Sequence, residues 1–507
     1  MMTFSRIADW VWLVPALPLL AVFIIGGRVL FGRAKGDAAE PLTAALCSLA
    51  TLGGLLLLLA IDLVAWLEGV PGHKVLGIWF ASGKWQGTVS FLLDGLSLSI
   101  STVTGLIAWL VMRFSSNYLH REAGFHRFYI GLSLFVAGVQ LVLLAGGGLL
   151  AFAGWEMCGV ASFLLIAYAW HRPVATGNAL FAFVTNRVGD AGFLLALGFS
   201  AAWLGTFEWP DIVAAYRISP LSIRLIVLGF VVAALVKSAQ LPFTPWITRA
   251  LEGPTPSSAI FYGAVMVHLG VYLMLRLSPL LAQVPDVMLG LAVVGGLTAV
   301  YAWVCGLVQT DVKSALIYAT VFQVALMFVE IGLGWTTLAT AHLCLHAAWR
   351  CWQFLLAPSW LVLTRFGPAP PPVWLERNQL IYTAAQQGFW LDRLAHALLV
   401  HPTTFFAHDL RRLEENFVDP LIGQPGAGQP VDTDRPLVMV DGLPGRVLAL
   451  VADGLQKIEN RLLLRGRGGM AEKFLLRAGN YLQTLESLLE QPRYLMMAVM
   501  ATFVVIL

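Results

Sequence analysis

Eleven predominantly apolar runs, separated by short polar or glycine-rich stretches, fill positions 1–364: about 10–31, 41–67, 89–112, 128–146, 148–170, 180–204, 221–241, 257–278, 286–309, 313–333 and 335–363. Each is close to the roughly 20 residues a helix needs to cross a bilayer, so the pattern predicts an all-α polytopic membrane bundle. A twelfth run, 495–507, is short and reads as a marginal span or an interfacial anchor. The character changes after Leu363. Residues 367–372 (GPAPPP) break any helix. Apolar stripes at helical spacing then recur among charges: Leu391, Leu394, Leu398 and Leu399, and later Val447, Leu450, Val451 and Leu455. Between them, 423–430 (GQPGAGQP) is a flexible break. The predicted organisation is a bundle over 1–364, an amphipathic, lateral helical segment over 365–490, and a C-terminal anchor over 491–507.

Several charges interrupt the apolar runs. Lys237 stands in LIVLGFVVAALVKSAQL and Glu156 in GLLAFAGWEMCGVASFLLIAYAW. A charge at bilayer depth costs at least about 2.5–3.5 kcal/mol on insertion scales, so it normally faces a bundle interior or a wet cavity. Asp190, Lys313, His342, His346 and Arg350 repeat the pattern further along. Pro242 and Pro245 follow Lys237 closely and predict a broken helix there, tolerable only where protein or a wet cavity covers the freed backbone. A lysine beside such a break can exchange protons; the plainer reading is a lysine snorkelling from a helix end. Glu156 supplies a carboxylate that can pair with it. Asp190 follows Arg187 by three residues, and a structural bridge between these two is the alternative to a proton-handling role. His342, His346 and Arg350 fall at i, i+4 and i+8 on one helix face, a spacing that suits a histidine relay. The same two histidines could begin a metal site, but no nearby carboxylate or cysteine pair completes it. Lys313 could instead pair with Asp311 at a helix start. Tyr262 and His268 are weaker candidates.

Composition narrows the class. The chain of 507 residues is 58% hydrophobic and 12% charged, with a net charge of +3. Soluble proteins carry about 25% charged residues. No basic block suits nucleic acid. The five cysteines lack iron–sulfur or zinc spacing, and no Rossmann or P-loop pattern occurs, so no cofactor and no metal are expected. The loop after the first run carries Arg28, Arg33 and Lys35, and that after the third carries Arg113, Arg121 and Arg127. Lys74 and Lys84, after the second, weaken the bias. By the positive-inside rule the N-terminus lies outside and 365–490 in the cytoplasm.

The stretches FLLDGLSLSISTVTGLIAWL, LLAFAGWEMCGVASFLLIAYAW, FAFVTNRVGDAGFLLAL, VKSAQLPFTPWITRALEGPTPSSAIFYGAVMVHLGVYLMLR and TDVKSALIYATVFQVALMF occur in order across about 94–360. In this set the chain resembles the antiporter-like family that includes the largest proton-pumping subunit of bacterial complex I and the Mrp sodium/proton antiporters. The resemblance implies a glutamate of the fifth helix (Glu156) set against the lysine of a broken seventh helix (Lys237). It also implies an acidic partner in the sixth helix (Asp190), the lysine of a TDVK motif (Lys313), and an HxxxH pair (His342 and His346). Three departures stand out. Tyr262 replaces a usual histidine, Arg350 replaces a usual lysine, and the family's second broken helix has no counterpart. The tail nevertheless resembles the lateral helix and final anchor of the complex I subunit.

These features lead to the expectation of a proton-translocating, non-redox subunit in a bacterial cytoplasmic (inner) membrane. It would work with other membrane subunits and a soluble catalytic partner. That partner would be a redox module, as in complex I, or a carbonic-anhydrase-like zinc protein, as in inorganic-carbon uptake systems that use a shortened member of the family. The ion would be the proton or sodium. The alternatives are a non-conducting membrane scaffold and a Mrp-type sodium/proton antiporter subunit.

Overall fold

A computed structural model describes residues 5–83, 85–215, 218–363 and 370–414. The elements run α1 (Leu13–Leu30), α2 (Glu40–Glu68), β1 (Gly72–Ser82), β2 (Trp85–Leu93), α3 (Gly95–Tyr118), α4 (Phe125–Leu144) and α5 (Gly148–Ile166). Then come α6 (Pro173–Trp203), α7 (Trp209–Val213), α8 (Pro220–Lys237), α9 (Pro245–Arg249), α10 (Thr255–Ser258), α11 (Leu269–Arg276), α12 (Ser278–Leu281) and α13 (Pro285–Gly306). The rest are α14 (Val312–Gly332), α15 (Thr336–Leu363), α16 (Val373–Arg377), α17 (Gln379–Gln386), α18 (Leu391–Ala395) and α19 (His401–Leu413). Ten helical stretches among the described residues, from Arg6–Leu30 to Val312–Gly332, are long and apolar enough to cross a membrane. The eleventh predicted run is α15, a 28-residue helix. The membrane part is thus an all-α polytopic bundle.

One boundary differs from the hydropathy pattern. Residues 89–93, expected to open the third span, belong to β2, which pairs antiparallel with β1. Gly72 stands opposite Leu93 and Ser82 opposite Trp85, with irregularities after Val75 and Ile78. Asp94 sets the change of structure. Its carboxylate accepts from the Ser97 N–H at 2.9 Å, while Ser97 Oγ accepts from the Asp94 N–H at 3.0 Å. This capping box fixes the start of α3 at Gly95. Burial pushes the Asp94 carboxyl up, but the Arg276 guanidinium that clasps both its oxygens, with Ser97, holds it below the usual range. The hairpin is tied to the α6–α7 turn by Glu208, which accepts from His73 at 2.8 Å, from Ser90 at 2.5 Å, and from Thr88.

Close helix packing rests on facing glycines. A Cβ on Gly154 of α5 would lie 2.5 Å from the Gly138 carbonyl oxygen of α4. Gly192 of α6 and Gly229 of α8 would each place one 2.7 Å from the other's carbonyl oxygen. Small residues at such crossings let backbones approach, drawing α4 against α5 and α6 against α8. The stretch Thr255–Arg276 is the most enclosed, its apolar window being 100% buried. It is not a regular helix. A π-helical segment at Ala259–Ala264 and a 3-10 turn at Met266–His268 separate α10 from α11.

Beyond α15, the helices α16–α18 lie against the membrane end shared by α9, α13 and α14. Trp374 stacks on Trp303 with ring centroids 5.8 Å apart, and Arg249 donates twice to Asp392, at 2.9 and 2.6 Å. A separate unit begins at Ala397. Within it α19 is amphipathic and leaves Phe405, Phe406 and Leu410 exposed. The expected break at 423–430, the stripe from Val447 to Leu455 and the anchor at 491–507 lie outside the described residues.

Candidate functional site

Four ionisable side chains converge where α5, α6 and α8 cross. Arg187 Nη1 donates to Glu156 Oε2 at 2.5 Å, and Arg187 Nη2 lies 2.8 Å from Asp190 Oδ2. Asp190 also accepts from Trp155 Nε1 at 2.9 Å. The Lys237 ammonium faces the same cluster from the last residue of α8. It sits 4.6 Å from the centre of the Trp155 ring and 3.5 Å from the Trp155 carbonyl oxygen. Lys237 is 1% exposed, and among the described residues no carboxylate lies within 4 Å of its Nζ. Glu156 is therefore held directly by Arg187 and not by Lys237. Sequence spacing shows the Arg187–Asp190 relation, three residues apart on one helix. It cannot show the Arg187–Glu156 contact, which depends on the rotation of α6 against α5. Gly159, one turn after Glu156, keeps the space between the cations open, since a Cβ there would lie 3.1 Å from Arg187 Nη2 and 4.0 Å from Lys237 Nζ.

The chain breaks after Lys237, where the prolines predict it. Ala239 adopts φ of 52°, a left-handed backbone that a residue with a Cβ holds only under constraint. The peptide before Pro242 is cis, and α9 begins at Pro245. Trp246 Nε1 donates at 2.9 Å to the Val236 carbonyl, which also accepts from the Ala239 N–H at 3.1 Å, so the end of α8 is doubly held. A cation at this C-terminus also complements the helix dipole. Ser238 Oγ donates to the Val267 carbonyl at 2.7 Å, which joins the break to the segment carrying His268. Tyr262 donates to the Ala250 carbonyl at 2.6 Å, and its hydroxyl bonds none of the histidines among the described residues.

The second polar group lies between the irregular segment, α14 and α15. His268 Nε2 is 2.9 Å from His346 Nδ1, and Arg350 Nε lies 3.4 Å from His346 Nε2. Arginine can only donate, so His346 accepts at Nε2 and carries its hydrogen on Nδ1. It therefore donates to His268, whose own Nδ1 is buried without a partner among the described residues. Arg350 also donates to Gln353 at 2.9 Å. One turn earlier on α15, His342 has different partners: Glu330 Oε1 is 2.9 Å from its Nδ1 and Gln323 Oε1 is 3.0 Å from its Nε2. The His342 and His346 ring centroids are 6.1 Å apart. The sequence showed no carboxylate near the HxxxH pair; Glu330 reaches it from the preceding helix. Lys313 is not part of this group. It stands half-buried in the first turn of α14, about 25 Å along that helix from Glu330 at about 1.5 Å per residue.

Comparison with known proteins follows the same stretch of chain. Residues 145–364 match the family described as NADH:quinone oxidoreductase/Mrp antiporter, TM, and residues 79–129 match NADH-ubiquinone oxidoreductase (complex I), chain 5 N-terminus. The chain is 33% identical over 361 residues to an NAD(P)H-quinone oxidoreductase subunit 5 of Paulinella chromatophora, covering 69% of this chain and 54% of the relative. It is also 33% identical over 359 residues to NADH-quinone oxidoreductase subunit L of Mycobacterium tuberculosis, covering 70% and 56%. The chain thus spans about half the length of the curated relatives it matches. Two solved structures share the fold at 22% identity and a TM-score of 0.58. They are the Mrp complex from a Dietzia species, covering 96% of this chain and 62% of that one, and an archaeal membrane-bound sulfane sulfur reductase, covering 69% and 57%.

Proposed function

The chain belongs to the antiporter-like family of membrane subunits found in complex I and Mrp assemblies, and from that premise we propose that it is a proton-translocating subunit of a multi-subunit complex. The observation that carries this reading is Lys237. It is a fully enclosed lysine at a helix break, beside a guanidinium and two carboxylates, with no carboxylate among the described residues bonded to it directly. Such a lysine can give up and regain its proton without breaking an ion pair, whereas an ammonium held by a carboxylate cannot. Glu156 and Asp190 surround the ammonium with negative charge, and Arg187 offsets part of it. From the break, Ser238 and the irregular segment lead to His268 and His346. The Arg350 contact to His346 must open before His346 can take a second proton, so Arg350 acts as a fixed charge that gates the relay.

The Lys/Arg distribution supports an N-terminus outside the cell and a cytoplasmic tail in a bacterial inner membrane. The catalytic work belongs to a soluble partner, either a redox module or a carbonic-anhydrase-like zinc protein. Co-purification from native membranes distinguishes the two. One observation favours a second reading, a non-conducting scaffold: Glu156 is held by an arginine, which does not deprotonate. Proton flux in proteoliposomes separates them. Translocation requires that Lys237→Ala and Glu156→Gln each reduce flux well below wild type; a wild-type rate in both variants supports the scaffold.

A further inference from the structure

The Glu330–His342 pair is not explained by the cluster at Lys237 or by the packing of α14 on α15. Two apolar residues would fill the same space without the cost of desolvating charges. Its hydrogen bonds fix where one proton lies. The Gln323 amide oxygen can only accept, so His342 Nε2 carries a hydrogen. Glu330 Oε1 stands 2.9 Å from Nδ1, and a carboxylate facing a bare ring nitrogen would set lone pair against lone pair. One proton is therefore shared between them. The imidazolium–carboxylate and imidazole–carboxylic acid forms differ only in the position of that hydrogen. The other carboxyl oxygen, Oε2, is buried and has no partner among the described residues.

Position gives the pair a direction. Glu330 lies two residues from the end of α14 and His342 six residues into α15, on the side of the membrane that carries the β-hairpin. At about 1.5 Å per residue they lie about 3 and 9 Å inside their helix ends. His346 is one turn deeper and bonded to His268, and Arg350 one turn deeper again. Among the described residues Arg350 has no carboxylate within 4 Å. A permanent cation at the inner end and an acid at the outer end favour a proton moving outward along α15, and the His346 and His342 rings, 6.1 Å apart, can exchange it once one of their present hydrogen bonds opens.

We infer that Glu330 is the terminal acceptor of a relay running through His342 to the hairpin face, so that this chain carries its own outlet. This rests on the translocation reading above. In the step, the Nδ1–H bond of the His342 imidazolium breaks and an O–H bond forms at Glu330 Oε1. The products are neutral imidazole, still protonated at Nε2, and a carboxylic acid. Loss of that proton to water at the membrane face restores the carboxylate.

Two measurements on the full chain in bilayers test this. In an infrared pH titration, a carboxyl C=O band should vanish in Glu330→Gln and shift in His342→Gln, a readout that needs no flux. An unchanged titration in Glu330→Gln means that the group does not exchange protons and overturns the proposal. In proteoliposomes, Glu330→Gln should lower flux about 100-fold, the scale of losing one acid–base group, with partial recovery in Glu330→Asp. If Lys237→Ala abolishes flux while Glu330→Gln runs at the wild-type rate, the outlet lies elsewhere and translocation stands. If neither variant changes flux, the translocation reading fails and the outlet with it.

Discussion

Replacing Arg187 by alanine tests how the buried cluster is balanced. Fully ionised, Arg187 and Lys237 cancel Glu156 and Asp190. Without the guanidinium, two carboxylates, 9% and 4% exposed, share one ammonium that bonds neither of them. Breaking a buried ion pair by removing one partner costs about 3–5 kcal/mol. The Arg187 side chain is 36% exposed, so solvent screening places the expected loss at the lower end, about 2–3 kcal/mol. The Glu156 contact at 2.5 Å carries most of it, because the Asp190 contact, although 2.8 Å long, is poorly aligned for a hydrogen bond. The assay is a double-mutant cycle on thermal unfolding in detergent, with Arg187→Ala, Glu156→Gln and the two combined. Coupling of about 1–3 kcal/mol is expected between residues in direct contact, so the double variant should be clearly more stable than the sum of the single losses implies. Strict additivity would refute the pairing of Glu156 with Arg187.

Further outcomes follow from the same geometry. Asp94→Asn keeps an N-cap on α3 but removes the charge facing Arg276. Because the folded carboxyl lies below its usual range, the stabilisation is present above the unfolded value of about 3.9 and is lost as pH falls through the folded one. The stability gap between wild type and variant, measured by unfolding at stepped pH, should be widest near neutrality and close only in strong acid. Gly154→Ala drives a methyl group against the Gly138 carbonyl and should destabilise by about 1–3 kcal/mol, the range for overpacking; Gly177→Ala, inside α6 with open space around it, should instead stabilise by up to about 1 kcal/mol in the same melt. Trp246→Phe keeps an aromatic ring but removes the indole donor, leaving the Val236 carbonyl with backbone donors such as the Ala239 N–H, which should cost about 1 kcal/mol.

The spans, the helix break and the common face of His342, His346 and Arg350 were legible in the sequence because each depends on local signals: run length, prolines and the 3.6-residue period. The hairpin was not. Residues 85–93 pass from WQGTVS into FLL, and the apolar end of the strand merges in hydropathy with α3; only the Asp94–Ser97 capping box separates them. Glu330 was missed for a related reason. A lone glutamate three residues before the end of an apolar run reads as an interfacial residue, and its partner His342 lies on the next helix. The Arg187–Glu156 contact likewise depends on how two helices are rotated against each other, which a linear pattern does not contain.

Lys237→Arg in sealed proteoliposomes tests the role of Lys237 most directly. Arginine keeps the positive charge at the helix break but does not deprotonate. If Lys237 carries protons, an imposed pH gradient should drive flux through wild type and almost none through Lys237→Arg, with thermal stability near that of wild type. Wild-type flux in Lys237→Arg would contradict this and leave Lys237 as a fixed charge that only holds the cluster together.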